Sequence, residues 1–294
     1  MKIATITLFC REWFRADAWK RYYDQYKGDV YLHIIVNNGD ATDTEPLRSM
    51  FPDSLVLRSE TPNMMASYNL ALREILRHPE VDAIAQIVND IRMSPGGFAA
   101  LYEYLFSDPA LAMVSPVLLR GGTAEIDCYG CTVHPRNLDF VHLDVGRRIG
   151  EVTEERRYVT GLPAGIFLAR RDAYERFGFQ DERLEMYADE VDMDLRAAGL
   201  GYRLGATSLV QAWHMHVNRE GGKTRNPRAA FLMGRNHVYL ASKHLPGHVW
   251  RVFLHRIYRG LDEIRSALMH RKGKDAVVFG WNLIKGAFAG LKMR

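Results

Sequence analysis

Short runs rich in β-branched residues alternate with longer stretches of helical periodicity over positions 1–115, the pattern of parallel strands joined by helical crossovers. The segment KIATITLF predicts a first strand, and 15–26 carries apolar residues at helical spacing. VYLHIIVNN predicts a second strand, ending in a turn built from Asn37, Asn38 and Gly39. SLVLRSE is a third run, followed by a predicted helix over 64–77. VDAIAQIVND is a buried strand whose last residues are polar. A helix over GGFAALYEYLFS after Pro95 and a strand over LAMVSPVLL complete this part.

Between 121 and 158 no period is sustained, and Gly, charge and isolated aromatics predict hairpins and loops. Regularity returns with LPAGIFLARRDAYERFG, a strand leading into a helix, and with the acidic helix start of MYADEVDMDLRAAGLGY, which Gly199 and Gly201 terminate. ATSLVQAWHMH predicts a last strand. From Gly234 onward the pattern is helical and amphipathic, punctuated by Pro246 and Gly247.

The 294 residues, 47% hydrophobic, suffice for one large α/β domain with an appendage or for two small domains. A formal charge of +4 over the whole chain argues for no nucleic-acid partner. Its distribution is uneven. Positions 243–294 hold eleven Lys and Arg against three acids, a basic appendage on a mildly acidic body. Three cysteines make no disulfide framework and fit a reducing compartment, with the cytoplasm as the default. The apolar start is interrupted by Arg11 and Glu12 and reads as a strand, and no uncharged run approaches the ~20 residues of a membrane-spanning helix.

Several motifs fail. The first strand is followed by no Gly-x-Gly-x-x-Gly, which disfavours a dinucleotide-binding enzyme. Gly222, Lys223 and Thr224 lack the leading glycine of a phosphate loop, because Val217 stands there. Cys128, Cys131 and His134 have metal-ligand spacing without a fourth partner, and the simpler reading is a hairpin with two buried thiols.

Three constellations carry candidate chemistry. Asn89 and Asp90 end a buried strand, where an open parallel sheet places its ligand crevice, and a carboxylate there suits a hard divalent cation that also meets phosphates. The alternative is a plain Asn-Asp turn. Asp189, Glu190, Asp192 and Asp194 open a helix; they are either dipole-stabilised acids, with Asp192 and Arg196 as an i, i+4 pair, or the source of a general base. In a strand, His214 and His216 point to one face and Trp213 to the other, which suits a metal ligand flanked by packing, although a lone buried histidine is commonly structural.

In order and spacing these segments resemble glycosyltransferase family 2, in particular its rhamnosyltransferase-like members. The resemblance runs from Lys2 to about His244 through IIVNNGDATD, TPNMMASYNLAL, QIVNDIRMSPGGF, the block from VTGLPAGIF to LGYRL, WHMH and RNHVYLASKH. It implies an α/β fold of the GT-A type, Rossmann-like, with a mixed, mainly parallel sheet flanked by helices. Residues 1–243 would form the catalytic domain and 244–294 a basic helical extension. It implies inverting transfer of a sugar from a UDP-, dTDP- or GDP-linked donor to a hydroxyl of a glycan or lipid-linked acceptor, with Mn²⁺ or Mg²⁺ as cofactor. Asp90 and His214, with His216, would hold the metal; Glu190 would be the base and Asp189 its neighbour. Thr7, Asn37, Asn69 and Asn89 would join Asp90 at the donor, and Gly161 and Asp192 would face the acceptor.

Three positions depart from the family pattern: Val88 replaces the first Asp of the metal-binding motif, Asn37 replaces an Asp that reads a pyrimidine, and Asp-Glu replaces Glu-Asp at 189–190. These leave open a rival reading as a binding protein of the same fold without turnover. In the basic tail, HVWRVFLHRIYRGLDEIRSALMHRKGK interleaves aromatics and Arg, which suits an anionic membrane surface; a helical lid or an oligomer contact is the alternative.

Overall fold

The computed structural model describes residues 1–9, 16–39, 44–215, 226–270 and 273–293, which divide into two compact units. The first holds Met1–Thr132, Val141–Glu185 and the stretch from Met193 through the last strand; the second holds Val133–Phe140, Met186–Asp192 and the helices from Pro227 onward.

Four of the predicted strands assemble in parallel: β1 (Ile3–Phe9) lies between β2 (Leu32–Asn37) and β4 (Ala83–Ile87), and β3 (Leu55–Arg58) flanks β2. β4 has all five residues buried, so only apolar and small side chains with Gln86 occupy it, and Gln86 donates to Tyr174 Oη at 2.6 Å. On its other side runs antiparallel β11 (Ile166–Arg170), then β6 (Leu111–Arg120) and the long β12 (Arg203–His214), parallel to β6. Short β5 (Ile91–Met93), β7 (Ile126–Cys128) and β10 (Arg156–Val159) complete a ten-stranded sheet. Cys131–Val133 (β8) and Phe140–His142 (β9) pair as a separate ribbon within the stretch that lacks periodicity.

The crossovers are the predicted helices, with one short helix at 45–50 that the pattern did not show. α1 (Ala16–Tyr26) buries Trp19, Tyr23 and Tyr26, with the Trp19 ring 5.5 Å from Phe9 and 5.3 Å from Phe51. Helices α2 (Glu45–Met50), α3 (Met64–Ile75), α4 (Gly97–Ser107) and α5 (Arg171–Phe177) follow. The Asn63 side chain caps α3 by accepting from Met65 and Ala66 N–H groups. α6 (Asp189–Gly199) starts with Asp189, Glu190 and Asp192 in its first turn, as the acidic pattern predicts. Asp192 Oδ1 takes Lys243 Nζ at 2.8 Å and His244 Nε2 at 2.7 Å, while Arg196 donates to carbonyls of Phe177, Gly178 and Phe179.

In the second unit, α7 (Pro227–His244), α8 (Val249–Met269) and α9 (Lys274–Gly290) pack together. α7 starts before Gly234, where the helical pattern is first legible, because Asn226 caps it and Pro227 suits its first turn. Glycines set how closely these helices approach. A Cβ on Gly286 would lie 2.0 Å from the Phe231 carbonyl oxygen, and one on Gly234 would lie 2.1 Å from that of Leu283. Asp139 anchors the 133–140 segment to α8 through Arg256 and His255. No helix among the described residues is long and apolar enough to cross a membrane.

Because the obstacle at Gly286 is backbone, Gly286→Ala is expected to destabilise the chain by at least about 2 kcal/mol in urea unfolding followed by tryptophan fluorescence. Gly247→Ala, whose added methyl meets nothing within 4 Å, should leave the midpoint unchanged or slightly raised.

Candidate functional site

The parallel strands β1, β2 and β4 end at one edge of the sheet, and the polar residues of the sequence gather there. Thr7 sits in β1 opposite Ile35, fully buried, and its hydroxyl has no hydrogen-bond partner among the described residues. Asn37 ends β2 and its Oδ1 accepts the Gly39 N–H at 3.2 Å. Asn38, in the same turn, is 3% exposed with neither end of its amide bonded among the described residues. Unmatched buried polar atoms cost about 1–3 kcal/mol each, and their clustering at a strand edge marks a surface shaped for something other than its own fold.

β4 leaves the sheet through Val88, Asn89 and Asp90, a tight turn closed by the Ile91 N–H on the Val88 carbonyl. Asn89 Nδ2 ties this turn to β1 by donating to the Leu8 carbonyl at 3.1 Å. Gly165 supports it from β11's side: its carbonyl accepts the Val88 N–H, and an added Cβ would lie 2.7 Å from Ile91 Cδ1.

β12 brings His214 to this turn. It pairs with Ile91 on one side and Arg120 on the other, and the Met215 N–H donates to the Asp90 carbonyl at 2.7 Å. His214 Nε2 lies 3.4 Å from Asp90 Oδ1, and Nδ1 lies 3.6 Å from Asp127 Oδ2. Trp213 points the other way, against the cluster of Val117, Ile126 and Tyr129. Burial alone would lower the imidazole pKa, but the two carboxylates override it and raise it to about 9. An N···O gap of 3.4 Å is near the span between two ligands of one small cation, each about 2.1 Å from it, so Asp90 and Nε2 fit a shared divalent ion. Asp127 behind Nδ1 is the carboxylate that commonly orients a metal-binding imidazole. No sequence signal singled it out except the buried-polar-buried alternation of Ile126, Asp127 and Cys128. His216, also expected to bind metal, lies outside the described residues.

The remaining candidates are engaged in the fold. Asn69 in α3 uses both ends of its amide: Nδ2 donates to Gln180 O and Glu182 Oε1, and Oδ1 accepts from Gln180 N–H. Gly161 exchanges two backbone hydrogen bonds with Cys131. Cys128 ends β7 and Cys131 starts β8, both buried with sulfurs 3.3 Å apart, and the imidazole that approaches them is His142, not His134.

In the second unit, Asp189 and Glu190 begin α6 after a constrained segment. Tyr187 and Ala188 have φ of 66° and 62°, in the left-handed region that non-glycine residues rarely occupy. Asn236 of α7 holds this segment by donating to the Met186 and Tyr187 carbonyls at 2.9 and 2.8 Å. Burial raises the Glu190 pKa and the adjacent Asp189 raises it further, to about 8. Asp192 is buried, its carboxylate bound to Lys243 and His244.

His214 carries charge in the folded, metal-free chain well above its usual range, so its stabilising effect is complete below pH ~6.5 and is lost as pH rises through about 9. Asp127→Asn should lower the pKa of the His214 ring, read by NMR of the imidazole in metal-free protein, and flatten the fall in Tm over that window. An unchanged His214 titration would remove Asp127 from this role.

No family model matches the chain, and no curated protein matches it. Among solved structures it is similar to the crystal structure of GalNAc-T7 with UDP, GalNAc and Mn2+, with a TM-score of 0.60 at 10% identity over 82% of this chain and 50% of that one. This chain thus spans half the length of that structure. It is likewise similar to the mannosyltransferase PcManGT from Pyrobaculum calidifontis in complex with GDP-Man and Mn2+, with a TM-score of 0.60 at 14% identity over 98% of this chain and 86% of that one. Likeness at this level of identity speaks for the fold, and the chain has the GT-A type of α/β fold, a mixed, mostly parallel sheet flanked by helices.

Proposed function

We propose that this chain is a metal-dependent glycosyltransferase of the family 2 type. In this reading it moves a hexosyl or deoxyhexosyl group from a nucleoside-diphosphate donor, UDP-, dTDP- or GDP-linked, to a hydroxyl of a glycan or lipid-linked acceptor, with inversion. Residues 1–243 carry the reaction and 244–294 extend from it. The observation that supports this most is the convergence of Asp90 and His214 Nε2, 3.4 Å apart, where the β4 turn meets the end of β12, with Asp127 behind Nδ1. The two solved structures of like fold both hold Mn2+ with a nucleotide or nucleotide sugar, which favours the same ligand class here.

A divalent cation bound between Asp90 and His214 would offset the charge that grows on a departing diphosphate. The chain's own groups supply the rest. Asp127, 3.6 Å from Nδ1, favours the proton on that nitrogen and so leaves the Nε2 lone pair facing Asp90 once the ring gives up its second proton. Asn37, at the end of β2, would present its amide to the imide of the base, and Thr7 lies in the neighbouring strand. Asn69 acts by bracing the 180–182 segment, and Asn89 by fixing the turn that bears Asp90. Glu190 takes the proton of the attacking hydroxyl on its carboxylate, a role suited to a group whose pKa has been raised toward the working pH. Gly161, held by its backbone pairing with Cys131, and buried Asp192, held by Lys243 and His244, are the residues assigned to the acceptor.

In a thermal-shift screen of nucleotide sugars with and without Mn²⁺, one donor class should raise Tm only when metal is present, and Asp90→Ala should abolish both that shift and transfer. Metal-independent binding with no turnover would favour the binding-protein reading instead. A base must be ionised to act, so kcat/KM should rise with pH through about 8. Asp189→Asn, which removes the charge that raises Glu190, should move that limb to lower pH, while Glu190→Gln should lower kcat by about 10²-fold or more.

A further inference from the structure

Helices α8 and α9 bury one side each against their neighbours using small residues. A Cβ on Gly260 would lie 2.8 Å from the Gly280 carbonyl oxygen, and one on Gly280 would lie 2.6 Å from that of Gly260. With the inner sides so committed, a helix on a water-facing surface should be polar outside. α8 is not. Trp250, Leu254, Tyr258, Leu261, Leu268 and Met269 fall on one outward stripe at helical spacing, every one of them more than half exposed, Leu268 at 68%.

α9 repeats the arrangement with cations in the same line. Lys274, Val278, Trp281, Lys285, Phe288 and Lys292 follow one another at intervals of three and four residues, all exposed. The two stripes touch through Phe253, whose ring centroid is 5.6 Å from that of Trp250 and 5.0 Å from that of Phe288. Trp250, Phe253 and Phe288 thus join the two stripes into a continuous apolar surface.

The charges on this face select its occupant. Arg251, Arg259 and Arg265 border the α8 stripe and two lysines punctuate α9 with Lys292 just beyond its end, whereas acids are few, and Asp262 is already paired with Arg265 at 3.0 Å. A two-fold partner copy would set these cations against their own like. An anionic bilayer surface meets every feature at once: aliphatic side chains enter the acyl boundary, Trp and Tyr sit at headgroup depth, and Lys and Arg reach outward to the lipid phosphates. The helices lie on such a surface and do not cross it.

We propose that the outward face of α8 and α9 docks on the surface of a membrane rich in anionic lipid. The inference rests on this face alone and not on the reaction proposed above. It is tested by co-sedimentation of the full chain, without nucleotide sugar, with vesicles of phosphatidylcholine alone and of phosphatidylcholine mixed with phosphatidylglycerol. Binding is expected to the mixed vesicles, to weaken at high salt, and to fall about tenfold or more in Arg259→Glu/Lys285→Glu. Trp250→Ser/Leu254→Ser/Trp281→Ser should bind no vesicles while keeping the wild-type circular dichroism and melting transition, since these side chains are exposed. Failure of the wild-type chain to sediment with anionic vesicles, or sedimentation of either variant as strongly as the wild type, overturns the proposal. A dimer in analytical ultracentrifugation that the serine variant dissolves, without vesicle binding, also overturns it and assigns the face to a second copy.

Discussion

A strand buried on both faces has no place for a carboxylate until it leaves the sheet, and β4 leaves it at Asp90. Everything at the candidate site follows from that constraint. With β1 and β11 hydrogen-bonded along its two edges, β4 offers only its end for polar chemistry. The turn beyond it is then held from three sides, by Asn89 on the Leu8 carbonyl, by the Gly165 carbonyl on Val88, and by β12. A carboxylate fixed in this way has little freedom left to lose when it takes a ligand, which is the condition under which binding energy is best conserved.

The same logic explains why His214 is placed by a strand. β12 is twelve residues long and pairs with β6, β10 and β5, so the alternation of its side chains directs Trp213 into a packed cluster and His214 to the acids. Its two carboxylate neighbours engage different ring nitrogens. One nitrogen therefore faces Asp127, which also meets Arg120, and the other faces Asp90.

The second unit solves a different problem. Its three helices approach closely because glycines stand where backbone meets backbone, which leaves the large side chains of α8 and α9 to point outward. A helix bundle that buried its Trp, Leu and Phe residues would need no such glycines. Large apolar side chains left outside are the reverse of what water rewards.

Local periodicity was enough to locate the strands from KIATITLF to ATSLVQAWHMH, the helices between them, the acidic start of α6 and the polar end of β4, because each of these is decided by burial of neighbouring positions in the chain. Spacing likewise set apart Asp90, His214 and the 189–190 acids, and charge counting marked the basic tail. What the chain could not disclose by itself depends on partners far along it. Asp127 lies in a stretch without period and becomes significant only when β7 lies beside β12. Asn69 is tied to 180–182, Asp192 to Lys243 and His244, and Asn236 to the strained turn before Asp189, each across about fifty residues or more. Which apolar face of α8 is buried and which exposed was also undecided, since both are apolar and only the glycines of α9 choose between them. Sequence patterns record whether a position is inside or outside; which distant group meets it there is settled by the closing of the sheet and the packing of the helices.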